Sequence, residues 1–196
     1  MNKLWGSRAY LCGAIDRTAD LGIGWRNEIT PNLENLGIVV EDPCNKPIDV
    51  GFEIENREYR NNLKKDGQYS IIAKKMKDVR IIDLRLVDIC DFLIVYLDLS
   101  IHVCGTYEEI SWANRMKKPI LIVVKQGKYE CPDWLFGSIP DNMIFSSFEE
   151  MMNYLKKIDS GEESYKSRWI LFDYKKMLPK SITEFLEKNN FFKDKI

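Results

Sequence analysis

Two short segments of the chain are apolar at every position, and a third is nearly so. Residues 92–97 and 120–124 are apolar on both alternating faces, and residues 8–12 form a third segment that runs into Gly13. Segments of this kind are typical of parallel strands that helices cover on both sides. We therefore expect buried parallel strands at these three places.

Helical spacing appears between these segments. The apolar residues of segment 25–36 fall on one helical face, and Gly37 stands where a glycine commonly ends a helix. The other predicted elements are a strand at 38–40, a helix with an apolar stripe at Val79, Ile82, Leu86 and Ile89, a helix over 106–116, a strand over 143–145 and a helix over 148–158. This alternation predicts an α/β fold, flavodoxin-like or Rossmann-like, with a parallel sheet of about five strands and helices on both faces.

Two parts of the chain lie outside this pattern. Residues 44–78 form a charged insertion in a domain predicted over residues 1–158, and we interpret it as a solvated helical segment or a lid. Residues 159–196 form an aromatic and basic extension that we expect to pack on the domain or on a neighbouring subunit. A basic cluster near the end of the insertion either contacts phosphate or is solvated; it consists of Lys74, Lys75, Lys77 and Arg80.

The charge balance and the hydropathy pattern narrow the classes of function. The 196 residues contain 29 Lys and Arg against 30 Asp and Glu, and 45% are hydrophobic. The strong basic excess of a general nucleic-acid binder is missing. No apolar run approaches the roughly 20 residues that span a bilayer, and the first residues carry no secretory signal pattern. We expect a cytoplasmic protein that binds neither nucleic acid in general nor a membrane.

The cysteines and the single histidine predict no metal site. The five cysteines include no C-x-x-C pair, and His102 is the one histidine, so the usual zinc spacings cannot be assembled. Cys12 and Cys90 lie in apolar segments and are expected to be buried. Cys104, in a predicted loop beside His102, is the cysteine that we consider for chemistry.

An open parallel sheet binds its ligands at the carboxyl ends of its strands. The segment Gly13-Ala14-Ile15-Asp16 follows the first strand and has neither the G-x-G-x-x-G nor the G-x-x-x-x-G-K-[ST] spacing. The usual modes of NAD and ATP binding are therefore disfavoured, and no cofactor is predicted.

A second segment at this edge carries the main candidate for chemistry. Gly105 lets the backbone approach a ligand, and Thr106 is predicted to begin a helix with Glu109 one turn later, where the helix amides favour an ionised carboxylate. Such a carboxylate is suited to nucleophilic attack on a sugar carbon. The same T-x-x-E spacing is that of a capping box, and on spacing alone this structural interpretation is the commoner one. Asp83 lies within a predicted helix and also has two interpretations: a role in the site, or that of an ordinary solvated aspartate.

Taken together, the motifs resemble the nucleoside 2-deoxyribosyltransferase superfamily, which includes nucleoside deoxyribosyltransferases and nucleoside-monophosphate N-glycoside hydrolases. They stand in the family order over most of residues 8–158. The matching segments are Tyr10-Leu11-Cys12-Gly13-Ala14-Ile15, Asp83 with Asp91, Gly105-Thr106-Tyr107-Glu108-Glu109-Ile110 with Ala113, and, more weakly, Trp134-Leu135-Phe136-Gly137 and Asp141-Asn142-Met143-Ile144.

The resemblance implies roles for individual residues. Glu109 matches the glutamate that attacks the anomeric carbon and forms a covalent glycosyl-enzyme, and Glu108 is the weaker match. Asp83 matches an aspartate that orients a sugar hydroxyl or assists proton transfer. The other residues expected at the substrate are Tyr10, Gly13, Ala14, Ile15, Asp16, His102, Gly105, Thr106 and Asn142.

The resemblance also implies an assembly and a substrate class. Asn142 matches a position that reaches the active site of a neighbouring subunit, so a homodimer or a higher homo-oligomer is expected. The substrate would be a nucleoside or a nucleotide, and neither a metal nor a cofactor would be needed.

One departure from the family pattern leaves two reactions possible, transfer of the glycosyl group or hydrolysis. Deoxyribosyltransferases carry an aspartate two residues before the glycine of G-T-x-x-E, and here Val103 stands in that position. His102 or Cys104 would have to replace it as the proton donor, and histidine is the commoner acid–base group near neutral pH. We place a deoxyribosyltransferase first and a nucleoside 5′-monophosphate N-glycoside hydrolase second. A nucleotide-binding module without catalysis and a purely structural protein are the alternatives from other classes.

Overall fold

The computed structural model describes residues 2–46, 57–162, 168–171 and 178–189, and the statements below concern these residues. Its strands are β1 (Arg8–Gly13), β2 (Val39–Glu41), β3 (Phe92–Leu97), β4 (Ile120–Val124) and β5 (Ile144–Phe145). They form one parallel sheet in the order β2-β1-β3-β4-β5. This is the strand order of flavodoxin-like folds, and the predicted fold class is confirmed.

Helices connect the strands. They are α1 (Ile23–Asn35), α2 (Arg57–Lys65), α3 (Tyr69–Ile89), α4 (Cys104–Arg115), α5 (Asp133–Phe136), α6 (Phe148–Ser160) and α7 (Lys180–Lys188), with 3-10 turns at Pro43–Asn45, Lys128–Glu130 and Asp141–Met143. None of the helices in the described residues combines the length and the apolar character needed to cross a membrane.

The helices cover both faces of the sheet. On one face, Trp25 of α1 stacks on Phe148 of α6 with the ring centroids 5.8 Å apart, and both rings contact Tyr96 of β3. On the other face, α3 and α4 pack against each other and against β1. Every residue of β4 is buried between these two layers, which explains why its sequence is apolar throughout.

The predicted strands agree more closely with the structure than the predicted helices do. Both β3 and β4 have the predicted bounds. Helix α4 begins at Cys104 and not at Thr106, and α3 begins at Tyr69, so the last part of the predicted insertion, 69–78, forms the first part of this helix. The predicted stripe on α3 is also partly wrong, because Ile89 is exposed. The face of α3 that packs on the domain is Val79, Asp83, Leu84 and Val87.

The described part of the insertion is a charged helix with two buried positions. Most side chains of α2 are exposed, but Arg60 and Leu63 are buried. Spaced three residues apart, they lie on the same helical face. Residues 47–56 of the predicted insertion lie outside the described residues.

The described part of the C-terminal extension contacts the domain through Trp169. Its indole Nε1 donates a hydrogen bond to the hydroxyl of Tyr154 at 3.0 Å, and its ring lies 5.0 Å from that of Phe92. On α7, Phe185 is exposed. Four further aromatic residues of this extension, Phe172, Tyr174, Phe191 and Phe192, lie outside the described residues.

Candidate active site

A cleft of about 410 Å³ opens at the carboxyl edge of the sheet, between the loop after β1, helix α3 and the start of α4. Its volume is that of a small-molecule site. The cleft brings together every residue that the sequence analysis places at the substrate except Asn142: Tyr10, Gly13, Ala14, Ile15, Asp16, Asp83, His102, Gly105, Thr106 and Glu109. Asn142 is exposed in a 3-10 turn away from this cleft, and its role towards a neighbouring subunit stays a prediction.

Glu109 lies on the face of α4 that packs against the sheet. Thr106, Ile110 and Ala113 share this face and are buried, as the three- and four-residue spacing of a helix requires. The carboxylate of Glu109 accepts two hydrogen bonds from β1. The hydroxyl of Tyr10 donates to Oε1 at 2.8 Å, and Sγ of Cys12 donates to Oε2 at 2.9 Å.

Both donors keep their protons well into the alkaline range. Burial raises the pKa of the Tyr10 phenol well above its usual value, and the charges of Glu109 and Asp83 raise it further. Burial likewise raises the pKa of the Cys12 thiol, with Glu109 as the next cause. Two neutral donors aimed at one carboxyl group favour its ionised form. The site therefore presents Glu109 as an oriented carboxylate.

The capping-box interpretation of Thr106 and Glu109 is wrong. The N-cap of α4 is Val103, which makes no side-chain cap, and Thr106 lies inside the first turn with its side chain buried. Glu109 is therefore in the second turn, where its carboxylate meets Tyr10 and Cys12 rather than the start of its own helix. The residue pattern that resembles a cap instead places an acid on the buried face of the helix.

Asp83 faces the cleft from α3 and is held by a cation. The ammonium group of Lys46 lies 2.7 Å from Oδ1 of Asp83 in a nearly buried ion pair. The alternative of an ordinary solvated aspartate is therefore wrong, because the side chain lies on the packed face of α3. The cation comes from the last described residue before segment 47–56.

Two further ion pairs line the rim of the cleft. Arg60 of α2 contacts Oδ1 of Asp16 at 3.0 Å. Arg80 of α3 binds the carboxylate of Glu108 on α4, with its Nε 2.9 Å from both carboxylate oxygens. The glutamate beside the candidate nucleophile is thus engaged at the exposed rim, whereas Glu109 points inward.

A buried arginine fixes the two loops at the sheet edge. The guanidinium of Arg26 donates to the backbone carbonyls of Leu11, Gly13 and Gly22, and its Nε lies 3.3 Å from Asp42 after β2. One side chain therefore joins the end of β1, the start of α1 and the end of β2. Gly13 suits this close approach, because a Cβ at this position would lie 3.0 Å from both the Trp25 ring and the carbonyl oxygen of Tyr96 and would require one of them to shift.

The loop that carries His102 is organised by Asp98. Its carboxylate accepts hydrogen bonds from the amide and hydroxyl of Ser100, from Lys125 at 2.7 Å and from Gln126 at 2.8 Å. Burial alone would raise the pKa of Asp98, but these hydrogen bonds outweigh it and hold the pKa well below its usual range. His102 lies beyond this turn, exposed at the cleft.

The amino end of α4 opens on the same cleft. Cys104 and Gly105 are exposed there, and a Cβ at Gly105 would meet no atom within 4 Å. Gly105 is therefore not required by packing within the chain, and the space beside it belongs to the cleft.

Several residues of the site were not singled out as such by the sequence. Cys12 was predicted as a buried apolar residue; it is buried, as Cys90 also is, but it also contacts Glu109. Its position two residues after Tyr10 was an available signal, since alternate residues of a strand share a face. Lys46 and Arg60 carried no local signal, because their partners are distant in the sequence.

Within the part of the chain that the structure describes, no group of three or more His, Cys, Asp and Glu side chains is placed to hold a metal ion. A comparison with protein-family models and with curated proteins finds no match.

The chain is similar to several solved structures. A 2-deoxyribosyltransferase from Bacillus psychrosaccharolyticus is 18% identical with a TM-score of 0.48, and the match covers 76% of this chain and 92% of that enzyme. A 2-deoxyribosyltransferase from Leishmania mexicana has the same identity and TM-score, with 76% and 97% covered. A CMP N-glycosidase from Clostridium botulinum is 17% identical with a TM-score of 0.42, and 79% and 99% are covered.

Proposed function

We propose that this protein cleaves the N-glycosidic bond of a 2′-deoxynucleoside with Glu109 as the nucleophile and transfers the deoxyribosyl group to a second base. The observation that carries the proposal is the double hydrogen bond from Tyr10 and Cys12 to the Glu109 carboxylate at the cleft. A carboxylate bonded at both oxygens keeps one orientation, which attack on an anomeric carbon requires.

The reaction has two balanced half-reactions. In the first, an oxygen of Glu109 bonds to C1′ while the C1′–N bond breaks, and the electron pair of that bond leaves with the base, which takes up a proton. In the second, a nitrogen of the acceptor base attacks C1′ and loses a proton, and the Glu109 carboxylate leaves. Both steps pass through an oxocarbenium-like state that a nearby ionised carboxylate stabilises.

A nucleoside 5′-monophosphate N-glycoside hydrolase is the second candidate. It shares the first half-reaction, and water replaces the acceptor base in the second. The observation that favours it is the amino end of α4, which has no side-chain cap and opens on the cleft beside His102 and Arg80. Helix amides beside an imidazole and a guanidinium suit a phosphate group.

A product screen separates these candidates. The protein is incubated with 2′-deoxynucleosides and a different free base, and in parallel with deoxynucleoside 5′-monophosphates in water. Exchanged nucleoside in the first series indicates the transferase, and free base with sugar phosphate in the second indicates the hydrolase. Tight binding without bond cleavage in either series would indicate a nucleotide-binding module instead.

The role of Glu109 is tested in the same assays with Glu109→Ala. We expect turnover to be lost, and intact-mass measurement of the quenched wild-type protein to detect one added glycosyl group that the variant does not acquire. Glu34→Gln, an exposed glutamate on α1 away from the cleft, is the matched control and keeps full activity. Full turnover by Glu109→Ala would refute the proposal.

A further inference from the structure

The ion pair between Lys46 and Asp83 lies at the wall of the cleft. Nζ of Lys46 is 2.7 Å from Oδ1 of Asp83, and the two side chains are only 4% and 10% exposed. Asp83 is one of the residues that line the cleft. Lys46 reaches it from just beyond the 3-10 turn Pro43–Asn45, which follows β2. A cation from a different part of the chain thus supports a carboxylate that faces the candidate substrate.

Such a pair fixes the chemistry of the carboxylate. An ammonium group in contact favours the ionised form of an acid, and an ionised carboxylate accepts hydrogen bonds but has no proton to donate. Since the pair is nearly buried, its attraction is screened less by solvent than that of a surface pair. The resemblance implied two roles for Asp83, orienting a sugar hydroxyl or assisting proton transfer, and these roles need opposite protonation states when the substrate binds.

The cation also resolves a conflict between the two acids of the cleft. Glu109 and Asp83 both line the cleft, as Tyr10 does, and the charges of both acids raise the pKa of the Tyr10 phenol. Two carboxylates that share a site without a counter-charge tend to share one proton. Lys46 balances the charge of Asp83, which leaves Glu109 free to carry the negative charge that a nucleophile needs.

We propose that Lys46 is a positioning residue for the reaction: it keeps Asp83 ionised and turned towards the cleft, so that Asp83 accepts a hydrogen bond from a sugar hydroxyl and does not act as an acid. This inference rests on the proposed function. If Asp83 does not act as an acid, the leaving base takes its proton from another group or from solvent. Lys46, which lies outside the family motifs, then contributes to substrate selection.

The test is the binding of nucleosides that lack one hydroxyl. Dissociation constants are measured by calorimetry for a 2′-deoxynucleoside, its 2′,3′-dideoxy analogue and its 2′,5′-dideoxy analogue. We expect the wild-type protein to bind at least one analogue about 10- to 150-fold more weakly, the range for a hydrogen bond to a charged group. In Lys46→Met the same loss shrinks to about 3-fold or less, because Asp83 is no longer held as an oriented acceptor.

Two further variants make the result specific. Lys157→Met is the control, because Lys157 is an exposed lysine of α6 outside the cleft; it keeps the wild-type discrimination. Lys46→Gln keeps a polar side chain of similar length without the charge, and we expect intermediate discrimination. If the melting curve shows that Lys46→Met is unfolded, the comparison is made on Lys46→Gln.

The outcomes separate this inference from the proposed function. If the wild-type protein binds and cleaves nucleosides but Lys46→Met or Lys46→Gln keeps the full hydroxyl discrimination, the role of Lys46 is wrong and the proposed function stands. The same holds if the wild-type protein binds all three nucleosides equally. If no nucleoside or nucleotide binds to the wild-type protein, the proposed function itself fails.

Discussion

The two acidic side chains of the cleft are held by different chemistry. Glu109 accepts hydrogen bonds from two neutral donors on β1, the phenol of Tyr10 and the thiol of Cys12. Asp83 is paired with the ammonium group of Lys46. Neutral donors orient a carboxylate and leave its negative charge unbalanced. An ammonium group orients the carboxylate and also balances its charge. The same residue type is thereby prepared for two tasks.

The two acids differ in this way because their partners lie on different parts of the fold. Tyr10 and Cys12 are alternate residues of a central strand, so their side chains point from the same face of the sheet into a rigid, apolar layer. Lys46 lies in the connection after an edge strand, next to the charged part of the chain. The core supplies the support for Glu109, and a surface connection supplies the support for Asp83.

The largest expected effect is on kcat and comes from replacing Glu109. Glu109→Gln keeps the shape and an oxygen that can accept from Tyr10, but it removes the nucleophile. We expect kcat to fall on the order of 1000-fold or more, while the free energy of unfolding changes by no more than about 1 kcal/mol. Steady-state kinetics and thermal melting check the two halves. A large loss of stability would show that the charge of Glu109 is structural.

Asp83→Asn breaks the ion pair with Lys46 and should lower the free energy of unfolding. The substitution removes the negative charge from a nearly buried ion pair, which costs about 3 kcal/mol. Chemical denaturation of the variant measures this loss. Glu108→Gln is the control, because its partner Arg80 is about half exposed and surface pairs contribute at most about 1 kcal/mol. Equal losses of stability in Asp83→Asn and Glu108→Gln would contradict the distinction between a nearly buried and an exposed ion pair.

Tyr10→Phe weakens the support of Glu109 without removing it. The ring stays in the core, and the hydrogen bond to Oε1 is lost. Hydrogen bonds to charged groups contribute about 1.5–3 kcal/mol, so kcat should fall about 10- to 100-fold with little change in KM. An unchanged kcat would mean that Cys12 alone is sufficient to orient the carboxylate.

The sequence predicted the Glu109 side better than the Asp83 side, for a physical reason. Strands β3 and β4 are apolar on both faces, so their bounds follow from burial alone. The acid at position 109 shares a helical face with Thr106, Ile110 and Ala113, which a periodic pattern reveals. The start of α4 did not follow, because Cys104 and Gly105 carry none of the usual N-terminal signals, and the T-x-x-E spacing indicated a later start.

The support of Asp83 could not be predicted in this way. Lys46 and Asp83 lie on different elements, and neither carries a local pattern that names the other. The same is true of Arg26, whose guanidinium joins three backbone carbonyls of β1 and the loop before α1, although in the sequence it looks like an ordinary helical arginine. Periodicity reports which face is buried, but not which polar group on another element it meets there.

The smallest effect is expected at Cys12. A thiol is a weak donor, so Cys12→Ala should lower kcat by about 5-fold or less, with Tyr10 still holding Oε1. The pH dependence sharpens this prediction. An ordinary thiol would ionise between about pH 7 and pH 9 and place a second negative charge against Glu109. Because burial and the neighbouring Glu109 raise the pKa of Cys12 well above its usual value, the neutral thiol persists as the pH rises through this range.

We therefore expect the wild-type protein and Cys12→Ala to have the same dependence of kcat on pH on the alkaline side. The raised pKa of Tyr10 leads to the same expectation, since its phenol also stays neutral there. An alkaline loss of activity in the wild-type protein that disappears in Cys12→Ala would show that the thiol ionises beside Glu109. Glu109 would then share its pocket with a second anion, and its support would no longer consist of two neutral donors.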